Sequence, residues 1–201
     1  MDQEEIWDKI APEWNRYRLQ TPLVVEEFLH GKKGKILDLG CGSGRNFVKI
    51  DELEWFGVDF SSEMIELAKD SAYKKKMEVN FKKAEVFETG FNEGFFDYIL
   101  CYSVLHCLDT IGKRINTLKE IHRVLKVGGE VLISVWGRKS PRLFGKEKEC
   151  YIPWTLTNEK QVLRYTYLFD KAELEDFAKR IGFEIVKSEE EENILIVLKK
   201  I

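Results

Sequence analysis

Apolar positions along this chain follow two alternating rhythms. Short, dense runs rich in Ile, Leu, Val and Phe occupy Lys35–Gly40, Glu54–Asp59, Met77–Lys82, Phe96–Tyr102, Glu130–Trp136, Glu184–Ser188 and Asn193–Lys199, which predicts strands. Between them, apolar residues recur at three- and four-residue spacing over Gly44–Asp51, Ser62–Lys75, Lys113–Leu125 and Lys171–Ile181, which predicts helices. Two further helices are expected ahead of the first strand, at Glu5–Trp14 and Pro22–His30. Ser61/Ser62 before Glu63 and Asp170 before Glu173 read as N-caps, while Gly128 and Gly182 follow helices where a left-handed cap is useful. Regular alternation of strand and helix predicts an α/β fold, a Rossmann-like seven-stranded and mostly parallel sheet covered on both faces. The last two strands, joined by the acidic turn Glu189–Glu192, suit a terminal hairpin. Residues 138–169 show no clear element, and a stretch that long without regular structure is expected to be a functional loop.

At 201 residues the chain fits one domain, 1–201. Its 44% hydrophobic and 33% charged residues describe a globular protein. No apolar run approaches the ~20 residues of a membrane helix, and the acidic start Met1-Asp2-Gln3-Glu4-Glu5 is unlike a signal peptide, so a cytoplasmic, membrane-free location is expected. The four cysteines (Cys41, Cys101, Cys107, Cys150) form no C-x-x-C pair and the three histidines (His30, His106, His122) are scattered; reduced thiols and no metal site are expected. A net charge of −3 offers no whole-protein attraction for nucleic acid, and no DNA partner is expected. Between Arg138 and Lys148, however, Arg138, Lys139, Arg142, Lys146 and Lys148 face the single acid Glu147. This segment follows a strand end, so it reads equally as a phosphate-holding rim or as a solvated loop. Lys74–Lys76 and Lys82–Lys83 read as solvent-facing.

The candidate chemistry begins at Ile36-Leu37-Asp38-Leu39-Gly40-Cys41-Gly42-Ser43-Gly44. An apolar strand delivers an acid into a glycine-rich turn, and the helix pattern follows. Glycines let backbone approach a ligand closely, and amides at a helix start can face a polar or anionic group. Trp55-Phe56-Gly57-Val58-Asp59 ends in an acid nineteen residues after Gly40, about the interval at which a Rossmann-like unit places a ribose-gripping carboxylate. A nucleoside-containing cofactor is therefore expected. The third glycine comes one residue early for the dinucleotide fingerprint, Arg45 stands where that pattern asks for glycine, and the Walker Gly-Lys-Ser/Thr is absent.

Asp38, Gly40, Gly42 and Gly44, with Asp59 on the next strand, resemble the class I S-adenosylmethionine-dependent methyltransferases. Ala84-Glu85-Val86-Phe87 matches that family's third cofactor motif by its spacing to Phe95-Phe96-Asp97; Phe96-Asp97-Tyr98-Ile99-Leu100-Cys101-Tyr102-Ser103-Val104-Leu105-His106 resembles its strand into the active-site loop; Val124-Leu125-Lys126-Val127-Gly128-Gly129-Glu130 resembles its "LKPGG" turn, with valine for proline. The resemblance implies S-adenosylmethionine as cofactor, held by Asp38, Gly40, Cys41, Gly42, Gly44, Asp59, Phe60, Glu85, Val86 and Tyr102. It also places residues 1–31 as a helical lid over the cofactor mouth and 138–169 as a substrate-recognition insertion.

The flanks narrow the likeness. Ile6-Trp7-Asp8-Lys9-Ile10-Ala11 with Arg18 and Val24–Leu29, then Leu105-His106, Lys113-Arg114 and Ile133–Trp136, then Ile152-Pro153-Trp154, Arg164–Phe169 and Glu173-Leu174, resemble the tRNA wobble-uridine carboxymethyl methyltransferases. That family esterifies 5-carboxymethyluridine in the tRNA anticodon loop, and relatives work with a small zinc-binding activator protein along a sheet edge. Here Cys107 replaces its second active-site histidine, Thr21-Pro22-Leu23 its Pro-Trp-Pro, and Tyr167 the histidine of its "RYYH". A carboxylate acceptor is ionised at neutral pH and needs no general base; it needs a cationic clamp, which arginine supplies bidentately. Arg18 and Arg164 are the candidate clamp, His106 a donor, and Trp7 or Trp136 a stacking surface. Trp136, Trp154 and Tyr165 read equally as packing or loop anchors. A metabolite methyltransferase and a non-catalytic cofactor-binding partner are the alternatives.

Overall fold

The computed structural model describes residues 3–17, 20–158 and 160–201, without the side chain of Arg142. Helices α1 (Gln3–Tyr17) and α2 (Leu23–Leu29) precede β1 (Gly34–Leu39), β2 (Leu53–Asp59), α3 (Ser62–Lys74), β3 (Val79–Lys83), β4 (Phe96–Tyr102), α4 (Ile111–Val124) and β5 (Leu125–Trp136). Strands β6 (Glu149–Thr155) and β7 (Gln161–Tyr167) then form a separate hairpin before α5 (Lys171–Ile181), β8 (Phe183–Glu190) and β9 (Asn193–Lys200).

The seven-stranded sheet runs β3-β2-β1-β4-β5-β9-β8. Its first five members are parallel, while β9 is antiparallel to β5 and β8 to β9. Both faces are covered, so strand residues are apolar on both sides of the pleat. On β1, Ile36 packs with Trp55, Leu100 and Leu132, while Leu37 and Leu39 join the opposite layer with Phe56, Val58 and Ile99. Strand order reverses between β1 and β4, and this reversal opens a crevice at their carboxyl ends.

The expected caps hold at two places. Ser61 Oγ accepts from Met64 N at 3.1 Å, and Gly182 ends α5 at φ 106°. Asp170 precedes α5 without a side-chain cap bond and takes Lys148 Nζ at 3.1 Å instead. Gly128 caps nothing: α4 stops at Val124, β5 starts at the next residue, and Gly128 (φ 80°) lies where the β4–β5 register shifts.

Two expectations are overturned. Residues 44–51 are turn and irregular chain, not helix. The carbonyls that a helix would turn onto its own amides are taken by side chains. Lys75 Nζ donates to Gly44 O (3.1 Å), Arg45 O (3.3 Å) and Phe47 O (2.8 Å), Ser71 Oγ to Gly44 O (3.3 Å), and Thr21 Oγ1 to Arg45 O (2.7 Å). Lys75 is thus not the solvated residue its lysine run implied. Residues 138–169 contain the β6–β7 hairpin. On β6, Glu149, Tyr151, Pro153 and Thr155 are exposed while Cys150, Ile152 and Trp154 turn inward, and Trp154 packs with Ile6, Ile10, Val162, Trp7 and Trp14. Pro153 and the aromatic outward face disguise this alternation in the sequence.

Candidate functional site

The turn after β1 is built around three left-handed glycines, Gly40 (φ 76°), Gly42 (φ 52°) and Gly44 (φ 80°). They do different work. A Cβ on Gly40 would lie 2.5 Å from Val104 Cγ2, and one on Gly44 would lie 2.7 Å from the Phe47 ring, so both glycines permit close packing. A Cβ on Gly42 would meet nothing within 4 Å. Gly40 N and Cys41 N both donate to Val58 O, at 2.8 and 2.9 Å, which fixes the turn against β2.

Asp59 closes the turn from the tip of β2. One carboxylate oxygen accepts from Gly42 N at 2.8 Å and the other from Ser61 N at 3.0 Å. Burial pushes its pKa up to about 6, against the pull of these amides. A carboxylate has further lone pairs to offer donors in the cleft. Asp38 is fully buried on β1, held by Asn46 Nδ2 at 3.1 and 3.2 Å, and burial pushes it up to about 7.

Gly40, Cys41, Gly42, Asp59, Phe60, Glu85, Val86 and Tyr102 converge on one cleft. Asp38 and Gly44 do not line it; they brace the turn from beneath. The open space beside Gly42, the partly satisfied Asp59 and the pairing of Glu85 with apolar Val86 fit a nucleoside with a diol and a flat base. Helix α1 roofs this cleft. Ser61 Oγ donates to Asp8 (2.5 Å), Lys83 Nζ pairs with Glu4 (2.8 Å), Tyr165 N donates to Gln3 (3.2 Å), and Trp154 Nε1 donates to Glu13 (3.1 Å). Lys83 makes this pair while exposed, as its solvent-facing reading expects.

Adjoining the cleft is a second, narrow chamber lined by Trp7, Trp14, Arg45, Ser103, His106, Cys107, Trp136, Arg164, Tyr165 and Thr166. None of these is acidic. His106 stacks on Trp136 (centroids 4.7 Å apart, 15° between planes), and its Nδ1 accepts from Trp136 N at 3.4 Å, a tautomer that places the proton on Nε2. The Arg164 guanidinium carbon lies 5.1, 5.3, 5.8 and 6.0 Å from the rings of Trp154, Trp14, Trp7 and Trp136, a desolvated cation–π cage. Buried Arg114 braces β7, donating to Leu108 O (2.7 Å) and Tyr165 Oη (3.2 Å) and stacking 3.8 Å from the Tyr167 centroid. Burial pushes the Cys107 thiol up to about 12, so it stays protonated at neutral pH.

His106 and Arg164, which are far apart in sequence, are thus brought together with Trp7 and Trp136. Arg18 lies outside the described residues. Trp14, Arg45 and Ser103 also line this chamber, which the sequence reading did not single out. Trp14 was legible as a partner of Trp7 one helical face along, and Ser103 (φ 66°) takes a strained backbone at the strand end. Two residues of the basic rim are paired: Lys139 with Glu190 (2.7 Å), and Lys148 with Asp170 (3.1 Å) and Glu173 (2.9 Å). Among the described residues no group of three or more His, Cys, Asp or Glu is placed to hold a metal, and no helix is long and apolar enough to cross a membrane.

Comparison with known proteins agrees with this geometry. Residues 30–173 match the family model described as a methyltransferase domain. The protein ECU09_1500 of Encephalitozoon cuniculi, which carries a methyltransferase name, is 31% identical over 96% of this chain and 93% of its own. A tRNA (carboxymethyluridine(34)-5-O)-methyltransferase of Arabidopsis thaliana is 30% identical over 78% of this chain and 37% of its own length. The chain spans about a third of the length of several longer tRNA methyltransferase relatives. A solved SAM-dependent methyltransferase of Methanosarcina mazei shares the fold with a TM-score of 0.70 and 23% identity, covering 91% of this chain and 99% of that one. By sequence and by architecture, the chain belongs to the methyltransferase domain family as an S-adenosylmethionine-dependent methyltransferase.

Proposed function

We propose that the chain methylates the carboxylate of 5-carboxymethyluridine at the wobble position of tRNA. The observation that carries this reading is the second chamber, which holds two arginines, a histidine and three tryptophans but no acid, adjoining the cofactor cleft. Such a space favours an anion attached to a flat ring. Its aromatic walls stack a splayed base, and its guanidinium groups replace the water that a carboxylate gives up on entry. The relatives named as tRNA carboxymethyluridine methyltransferases support the same substrate.

When bound, S-adenosylmethionine supplies a methyl carbon activated by its sulfonium. In this reading Asp59 holds the ribose hydroxyls, Glu85 and Val86 meet the adenine, and the Gly40–Gly42 backbone leaves room for the remainder. His106 Nε2–H and Arg164 orient the acceptor, with Arg18 as a second clamp. No residue has to remove a proton, because the acceptor arrives ionised. That agrees with a protonated Cys107 and with an imidazole engaged through Nδ1. Helix α1, within residues 1–31, acts as the lid that excludes water, and residues 138–169 act as the substrate-recognition segment. A small zinc-binding activator would add at an edge of the sheet, which β3 and β8 form.

The test is nucleoside mass spectrometry of tRNA incubated with methyl-labelled cofactor, with and without the activator. Label is expected as the methyl ester of 5-carboxymethyluridine. Label confined to another nucleoside, or to metabolites and no RNA, overturns the reading.

A further inference from the structure

We propose that Arg45 fixes the acceptor's carboxylate at the point of methyl transfer and thereby makes the enzyme selective for an anionic acceptor. This rests on the carboxylate reading above and adds a residue to it. Five residues line both the cofactor cleft and the second chamber: Trp7, Trp14, Arg45, Ser103 and Cys107. A residue shared by both spaces stands where cofactor and acceptor meet, and Arg45 alone among these five carries a charge.

The two spaces differ in sign. The cofactor cleft is lined by Glu4, Asp59, Glu85 and Asp109 against Arg45 and Lys113, with Asp109 paired to Lys113 at 2.9 Å, an acidic balance that suits a cationic sulfonium, whereas the adjoining chamber has no acid. The faces of the Arg164 guanidinium are covered by four indoles. The Arg45 guanidinium carbon lies 5.2 Å from the Tyr102 centroid. Its base is anchored, because its own carbonyl accepts from Thr21 Oγ1 at 2.7 Å and Lys75 Nζ at 3.3 Å. The side chain therefore projects from a fixed point across the boundary. An arginine here supplies a planar cation suited to a carboxylate.

The experiment is calorimetric binding to the full chain saturated with S-adenosylhomocysteine. The probes are an anticodon stem-loop RNA bearing 5-carboxymethyluridine and the matched RNA bearing the neutral carbamoylmethyl group. Wild type is expected to prefer the carboxylate RNA. R45A is expected to lose about tenfold or more of that affinity, with the two RNAs then binding alike and S-adenosylhomocysteine affinity within about twofold of wild type. R45K, which keeps the charge without the fork, should fall between them and serves if R45A melts early. Weakened S-adenosylhomocysteine binding with the carboxylate preference intact assigns Arg45 to the cofactor and overturns the proposal, as does an unchanged R45A. A wild type without carboxylate preference sinks the underlying reading itself.

Discussion

Replacing Lys75 by methionine tests the idea that a lysine, not a helix, shapes the cofactor turn. Methionine keeps most of the apolar stem and removes the ammonium that donates to the carbonyls of Gly44, Arg45 and Phe47 at 3.1, 3.3 and 2.8 Å. Gly44 O and Arg45 O keep donors in Ser71 and Thr21, so the bond to Phe47 O is the principal loss. A hydrogen bond to a charged group is worth about 1.5–3 kcal/mol net. The other two add a fraction of that, giving ~2–4 kcal/mol in all. For a domain of this size each kcal/mol moves Tm by about 2–4 °C, so a drop on the order of 5–15 °C is expected, with a parallel shift of the urea midpoint at constant slope. Because the same carbonyls hold the loop carrying Gly42, S-adenosylhomocysteine affinity should fall with stability, and saturating ligand should recover part of the loss. A variant within about 0.5 kcal/mol of wild type, with normal ligand affinity, would refute the reasoning.

Asp59→Asn keeps the shape of the residue that accepts from Gly42 N and Ser61 N but weakens its acceptor character; S-adenosylhomocysteine affinity is expected to drop at least tenfold, measured by calorimetry, whereas equal affinity would remove Asp59 from the site. Ligand affinity should also fall as pH drops below about 6, where free Asp59 takes up its proton, and reach a plateau above pH 7. Asp38 and Asp59 both titrate above the usual carboxylate range, at about 7 and about 6. The folded chain then binds more protons than the unfolded one between about pH 4 and 7, so these two groups stabilise most below pH 4 and lose that contribution as pH rises through 6 and 7. The share of Asp38 is read by comparing the pH slope of urea stability in wild type and in D38N. Gly40→Ala places a methyl 2.5 Å from Val104 Cγ2 at φ 76°; a loss of about 2 kcal/mol or more is expected, and V104A should restore part of it.

Much of this protein was legible in its residues alone. The central parallel strands follow from runs apolar on both faces of a pleat, a local signal that tertiary packing had no reason to override. The glycine turn and Asp59 were legible because close backbone approach and a carboxylate at a strand end are demands on residue type. Three things were not. The segment after Gly44 has a helical spacing, but Lys75, on the far end of α3, captures its carbonyls, and a partner thirty residues away leaves no local trace. The hairpin within 138–169 is held by Trp154 against α1, so its inward face has a meaning only once α1 is in place. The second chamber is a matter of assembly: Arg45, His106, Trp136 and Arg164 come from four separate segments. Sequence pattern decided which elements form, because hydrophobic period and backbone permission act over a few residues. Only the folded chain decided which charges share a cavity, because burial and electrostatic pairing depend on distance in space.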